Sequence, residues 1–560
     1  MSENKVIGRE CRFAIHIPTY HPDKPDVHMV KEQIHYEDGT IVPNIRYIKD
    51  YKRSIWITKP NKRIHKDKKE AEFIENLNEI ETTQSELRNN VAKLLDRTYI
   101  KETIKQLSSS PYLYGTEISS TSLIKHEYSK RYPDLKTAYS VAFFDIETDV
   151  LNPTSKDFII IASLLYKNKV FTGILKNFVS GFSLIKDSVN LKIKKYIPEY
   201  IEKHNISIEL FIADNSVELI KELFKRVHEW KPDLLAIWNM NFDIPQVLKL
   251  LESHHVNPKD IFCDPSTPRD FRICEYKEGP NKKITASGKV NPISPASQWH
   301  SLLCTSSYFI IDAMCVYKQI RLAKQEESSY SLDAILNKEL GIRKLRFEEA
   351  NQYTGLKWHQ FMQSEYKLEY IVYNIFDCIS MLELDEKTKD LSLTLPVYAD
   401  TTDFALFKSQ PKRIADSLHY FCLERGFVLG AIDNLYEKKR VAKEENETDK
   451  ILSLKGWICT LPAHLSVLGM ACIEEDPIMR TGLRSYIYDS DVVSAYPTCT
   501  SIANVSKSTT RKELISIENI TEKTFRAQNL NLILGPTNAI EYSTIMFNLP
   551  KPTELLKLIK

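Results

Sequence analysis

The pattern of apolar and polar positions changes character near residue 138. TAYSVAFFDIE is an apolar stretch rich in β-formers that ends in acids, and FIIIASLLY at 158–166 predicts a neighbouring buried strand. Helical spacing follows in SVELIKELFKRVHEW at 216–230, and DLLAIW then predicts a strand leading directly to Asn239 and Asp243. Helices, strands and acids at strand ends together predict an α/β domain with ligands at its strand tips. Residues 254–300 are rich in Pro, Ser and Lys and predict a long insertion outside the core. Within it, RICEYK and KKITAS flank Glu278-Gly279-Pro280-Asn281 and predict a β-hairpin over about 275–285 with a short turn. After SYFIIDAMCVYKQI the chain reads as mostly helical, and EYKLEYIVYNIFDCISMLELDEKTK predicts one strong amphipathic helix. On it Tyr373 and Asp377 stand four residues apart and share a face. The segment 396–432 also reads as helical, and a β-rich region runs from about 455.

Composition adds bounds to this picture. A chain of 560 residues, 42% hydrophobic and 27% charged, is an ordinary globular chain expected to fold as several domains. The net charge of +2 means that any nucleic-acid contact must come from local basic surfaces. One candidate is the run Lys52, Arg53, Lys59, Lys62, Arg63, Lys66, Lys68 and Lys69, broken only by Asp67 and interleaved with Trp56 and His65. It reads either as a phosphate-contacting surface with an aromatic stacking partner, with Lys62 and Arg63 as contacts, or as a solvated loop leading into a charged helix around Glu70–Arg97. No apolar run approaches the ~18 residues of a membrane span, and MSENKVIGRE lacks the profile of a signal peptide. The ten cysteines show no CxxC spacing, which predicts reduced thiols rather than zinc or a disulfide framework.

The candidate chemistry lies in three short signatures: FFDIET at 143–148, WNMNFD at 238–243 and YNIFD at 373–377. They contain the acids Asp145, Glu147, Asp243 and Asp377, with Tyr373 four positions before the last. Phosphodiester hydrolysis brings anionic nucleophile, phosphate and leaving group together. Two divalent cations about 4 Å apart, held by hard oxygen ligands, relieve that conflict. Four carboxylates supply such a cage, and a tyrosine hydroxyl can orient the attacking water. This is the chemistry of a 3′→5′ exonuclease.

A fourth signature stands at 485–501, SYIYDSDVVSAYPTCTS. YIYDSDVV reads as a strand and SAYPT as the start of a helix with Pro497 in its first turn. An aspartate at a strand end before a helix N-terminus suits a metal–triphosphate complex. Asp312, after a predicted strand, reads as structural rather than as a fifth ligand, and Trp299-His300 as packing.

Taken together these motifs resemble those of family B DNA polymerases, most closely of T4-like and related bacteriophages. FFDIET, WNMNFD and YNIFD resemble the three exonuclease motifs, and YDSDVVSAYP resembles polymerase motif A. The resemblance implies an α/β multi-domain chain: an N-terminal α+β domain (1–135), a ribonuclease-H-like exonuclease domain with a mixed sheet and flanking helices (136–392), a segment returning to the N-terminal domain (393–432), and a partial palm (433–560). It implies that Asp145, Glu147, Asp243 and Asp377 bind two Mg²⁺ or Mn²⁺ ions, that Tyr373 orients the nucleophilic water, and that Asn239 and Phe242 position the 3′-terminal nucleotide. In motif A it implies Asp491 as a second-site metal ligand, with Val492, Ser494 and Ala495 lining a dNTP triphosphate and Tyr496 beneath the sugar. The hairpin at 275–285 would help to separate primer from template.

The chain also departs from the family pattern. Three residues separate Asn239 from Asp243, one fewer than in many members, and Ala495 replaces the usual leucine. Neither the fingers pattern K-x-x-x-N-S-x-Y-G nor the palm D-T-D is present. Synthesis needs two palm carboxylates and a basic fingers helix, so these residues alone are expected to degrade DNA and not to polymerise it. The leading expectation is the N-terminal part of a phage replicative polymerase, completed by a second polypeptide, acting on primer–template DNA and single-stranded 3′ ends in the cytoplasm of an infected cell. A sliding clamp would be reached through that second half. A free-standing exonuclease with a vestigial palm, a truncated full-length polymerase and a non-catalytic DNA-binding scaffold are the alternatives.

Overall fold

The computed structural model describes residues 5–430, except 20–23, 70, 98–100, 285–288 and 324–325, together with 436–437 and 440–441. The chain divides into two units, Met1–Glu437 and Lys438–Lys560. The partial palm and motif A, with Asp491, Val492, Ser494, Ala495 and Tyr496, lie outside the described residues.

The first unit begins with an antiparallel sheet of β1 (Val6–Ile17), β2 (Val27–Tyr36) and β3 (Ile41–Lys49). Its centre is a mixed six-stranded sheet of β4 (Val141–Thr148), β5 (Ile159–Tyr166), β6 (Lys169–Leu175), β7 (Ser207–Ala213), β8 (Leu234–Ile237) and β9 (Phe309–Asp312), in the order β7-β6-β5-β4-β8-β9. β4 runs antiparallel to β5 and parallel to β8, and β8 runs parallel to β9. The strands β4, β8 and β9 therefore end at one edge, where loops and helix starts can converge.

Alternation along β4 assigns its two faces. Phe143 joins the core that includes α5 (Lys367–Thr388), whereas Ala142, Phe144 and Ile146 join the core beneath α1 (Ser216–Trp230) and α2 (Met240–Ser253). Asp145 and Glu147 follow Phe143 at intervals of two and so share its face. The first core also takes in Phe13, Ile15, Val27 and Met29, so the N-terminal sheet and the central sheet are packed as one body. Buried Asp233 joins them by hydrogen bonds: it accepts from Gln33 Nε2 at 2.9 Å and from the Ser140 amide at 2.9 Å.

The predicted strands at 158–166 and DLLAIW and the predicted helix at 216–230 are present. Four expectations are corrected. The charged segment after Lys69 forms short strands, Ala71–Phe73 and Leu77–Thr82, before a helix at Leu87–Leu94, because the second of those strands pairs with Arg53–Thr58. The 254–300 insertion is not wholly outside the core, since Ile261, Phe262 and Cys263 are buried beneath α1. Residues 274–284 do not form a hairpin turning at 278–281. Instead Cys274–Lys277 pairs with Ser301–Cys304 and Lys282–Ile284 pairs with Val290–Pro292, giving a two-tiered ribbon. Gly279 lies between the tiers, where a Cβ would stand 1.3 Å from the Gln298 carbonyl oxygen, so the chain crosses there only with glycine. Finally, α5 is buried on every side from Leu368 to Met381 rather than amphipathic. Tyr370, Tyr373, Asn374 and Asp377 on it face an interior acidic site instead of solvent.

No helix among the described residues is long and apolar enough to cross a membrane. The seven cysteines among them are free thiols.

Two buried histidines set an acid limit on this unit. Burial pushes His28 and His419 down to about 4, with neighbouring His16 and Arg53 respectively adding to the effect. Because the folded value lies below the ordinary 6.5, their stabilising contribution is complete above pH 6.5 and is lost as pH falls towards 4. At about 1.4 kcal/mol per pKa unit each contributes on the order of 3 kcal/mol. Melting temperature is expected to drop through that window, and a His28→Gln, His419→Gln variant to show a shallower drop when both are followed by calorimetry.

Candidate active site

Four acids meet at the sheet edge from three elements. Asp145 and Glu147 stand on β4, Asp243 in the first turn of α2, and Asp377 in α5. Ligand oxygens of Asp145, Glu147 and Asp377 lie within 4.8 Å of one another. Asp243 joins them through the backbone between the two β4 acids, where its Oδ1 accepts from the Ile146 amide at 3.3 Å.

Local structure explains this convergence. Two residues beyond β8, the N-cap of α2 is Asn239, whose φ of 71° lies in the left-handed region that asparagine tolerates better than most residues. That bend starts α2 directly beside β4. Asp312 holds it in place: one oxygen accepts from the Met240 amide at 2.8 Å and the other caps α3 (Ala313–Ile320) through the Cys315 amide at 2.8 Å. Burial pushes Asp312 up to about 6. Its two backbone bonds give it the structural part expected of it.

The electrostatics are those of crowded, desolvated carboxylates. Burial, then Asp377, Asp243 and Glu147, hold Asp145 well above the usual carboxylate range. Burial pushes Glu147 up to about 8, against the hydrogen bond from Tyr370 and with the repulsion of Asp377. Asp243 is raised chiefly by burial, and Asp377 by burial against the attraction of Lys344. Lys344 Nζ donates to Asp377 Oδ2 at 2.6 Å and to the Tyr373 hydroxyl at 3.0 Å. Burial disfavours the ammonium, but Asp377, Tyr373 and Asp145 outweigh it and its pKa is raised.

The donor set fits hard divalent cations, being all carboxylate oxygen. Asp377 Oδ1 is buried with no hydrogen-bond partner, as a ligand awaiting a cation would be.

Around the acids stand groups that the sequence reasoning did not single out. Asn374 Nδ2 donates to Asp145 Oδ2 at 2.6 Å, and the Tyr370 hydroxyl donates to Glu147 Oε2. Tyr370, Tyr373, Asn374 and Asp377 occupy i, i+3, i+4 and i+7 of α5, a polar stripe among the apolar residues of 370–379 that pattern inspection could have found. Lys344 lies in IRKLRF with no periodic signal, and only the tertiary structure brings it to the acids.

Of the other expected contacts, Phe242 is 44% exposed beside the site. The Asn239 side-chain oxygen is buried and unpartnered. Lys62 is exposed in a turn of the N-terminal region, and Arg63 Nε donates to the Thr58 carbonyl at 2.9 Å. Trp56 cannot stack on a base there, because it is buried with Leu77 and Tyr114.

An edge-of-sheet cluster of carboxylates on this α/β scaffold is a candidate site for divalent cations. Residues 92–335 match the family model described as the exonuclease domain of DNA polymerase family B. The DNA-directed DNA polymerase of Escherichia phage RB69 is a relative 27% identical over 183 residues, covering 32% of this chain and 17% of that protein. These likenesses support a family B polymerase exonuclease domain in this stretch. The family match contains Asp145, Glu147 and Asp243, and the structure adds Tyr373 and Asp377 from beyond it.

Like-charge crowding predicts a trade between stability and function. Without divalent cations, Asp145→Asn is expected to raise the melting temperature by several degrees at pH 8, because one buried charge disappears. Millimolar Mg²⁺ or Mn²⁺ should raise the melting temperature of the wild-type chain and leave that of the variant nearly unchanged. Differential scanning calorimetry reads both.

Proposed function

We propose that this chain carries the 3′→5′ proofreading exonuclease of a family B DNA polymerase, in a ribonuclease-H-like domain centred on β4. The observation that carries this reading is the meeting of four carboxylates and Tyr373 from three separate elements at one sheet edge. Asp145, Glu147, Asp243 and Asp377 would hold two Mg²⁺ or Mn²⁺ ions, which lower the pKa of water and screen the charge of the phosphate. Tyr373 is buried on the same helix face as Asp377, and its hydroxyl orients the attacking water. Lys344, held between that hydroxyl and Asp377, offers positive charge to the scissile phosphate. Exposed Phe242 stacks on the terminal base, and Asn239 positions its sugar. Lys62 and Arg63 are assigned to the DNA backbone.

The same reading gives motif A a role in synthesis. Asp491 would hold a cation at a second site, Val492, Ser494 and Ala495 would line the dNTP triphosphate, and Tyr496 would lie beneath its sugar. Templated synthesis also needs a fingers pattern and a D-T-D strand, which are not among these 560 residues. Replicating DNA in the cytoplasm of a phage-infected cell is the setting this implies.

A 5′-labelled single-stranded oligonucleotide in Mg²⁺ is the direct test. Stepwise shortening with retention of the label is expected. Asp145→Ala with Glu147→Ala should reduce it to background, and Tyr373→Phe should slow it about 100-fold. Loss of the label first, or full activity in the double variant, would refute the assignment.

A further inference from the structure

Glu147 is the one acid whose carboxylate is approached by an ordered series of neutral donors. Its Oε2 accepts from the Tyr370 hydroxyl, and the Tyr370 oxygen lies 2.7 Å from His359 Nδ1 and 3.4 Å from Gln363 Nε2. His359 and Gln363 both belong to α4 (Leu356–Glu365). The orientation of the Gln363 amide is fixed by its other partners. Gln363 Oε1 must accept from the Val150 amide at 2.9 Å, so Nε2 is a donor, to the Thr148 carbonyl at 2.8 Å and to Tyr370. With His359 in the tautomer protonated at Nδ1, the tyrosine oxygen accepts from both Gln363 and His359 and has one proton left to give. That proton points at Glu147.

The backbone geometry shows why such support matters at this residue. The pairing of β4 with β5 is irregular between Glu147 and Thr148, so the regular ladder that holds Asp145 stops at Glu147. Gln363 grips the chain on the far side of that irregularity, at Thr148 and Val150, and reaches back to Tyr370. The Tyr370 ring is itself packed, parallel to Tyr373 at 6.0 Å and against Trp358 at 6.0 Å.

We infer that Tyr370, oriented by Gln363 and His359, is a positioning residue that fixes the Glu147 carboxylate as a cation ligand. This inference rests on the exonuclease reading above. Tyr370 touches neither DNA nor the reacting atoms. It removes the rotational freedom that Glu147 would otherwise lose on binding a cation. Loss of such a supporting hydrogen bond costs about 10–100-fold in metal affinity.

The test is calorimetric Mn²⁺ titration of the full chain, in parallel with shortening of a single-stranded oligonucleotide. Tyr370→Phe keeps the ring packing and is expected to weaken Mn²⁺ binding about tenfold. Its cleavage should recover at high Mn²⁺, and KM for DNA should stay unchanged, a combination that a merely misfolded site does not give. His359→Ala, at a half-exposed residue that the fold tolerates, should move Mn²⁺ affinity the same way by a smaller factor. It decides the matter should the tyrosine variant fail to fold. Wild-type Mn²⁺ affinity in either folded variant overturns the positioning role while leaving the exonuclease assignment intact. A wild-type chain that neither binds Mn²⁺ nor shortens DNA overturns that assignment, and this inference with it.

Discussion

Mutual repulsion among buried carboxylates is the constraint around which the central domain is organised. Asp145, Glu147 and Asp377 bring ligand oxygens within 4.8 Å of one another where little water remains to screen them, and Asp243 adds a fourth charge from α2. A pocket of that kind is unfavourable on its own terms, and each acid is held by a specific donor. Asn374 donates to Asp145, Tyr370 to Glu147, the Ile146 amide to Asp243, and Lys344 to Asp377. Three of the four donors are neutral. They fix carboxylate geometry without cancelling the negative charge that a cation site requires.

The rest of the unit explains how such a pocket persists. β4 lies inside the sheet, with β5 on one side and β8 on the other, so its acids stand on the most constrained backbone available. α5, which supplies Asp377 and two of the donors, is buried along most of its length in the first core, and β4 contributes to both cores, so neither can shift without opening packed interior. Asp312 ties the start of α2 to α3, and Asp233 ties the N-terminal sheet to the strands that carry the site. Rigidity is concentrated where charge repulsion would otherwise push elements apart. Lys344 is the exception, reaching the acids from a segment without regular structure.

Much of this was legible in the chain. The strand at FIIIASLLY, the helix at 216–230 and the placement of Asp243 just beyond DLLAIW follow from periodicity, because each is a long or strongly patterned segment. The four acids and Tyr373 stood out because carboxylates beside runs of Phe, Ile and Val are costly unless they have a purpose. The readings that failed share one cause. The strands at Ala71–Phe73 and Leu77–Thr82, the pairing of Cys274–Lys277 with Ser301–Cys304 and the burial of Ile261–Cys263 are decided by partners distant in sequence, which local patterns do not encode. Trp56 read as a stacking residue because it stands among lysines, yet its strand points it inward.

The sequence by itself picked out the four acids, their hardness as oxygen donors, and the tyrosine one helical turn from Asp377. Those follow from residue identity and short-range spacing. Only the tertiary structure decided which groups surround them, since Lys344 reaches Asp377 across 33 residues of chain, Gln363 reaches Thr148 across 215, and Tyr370, which His359 supports, reaches Glu147 across 223. It also decided the state of the acids. Desolvation and repulsion depend on distances between β4, α2 and α5, and those distances exist only once the two cores have packed.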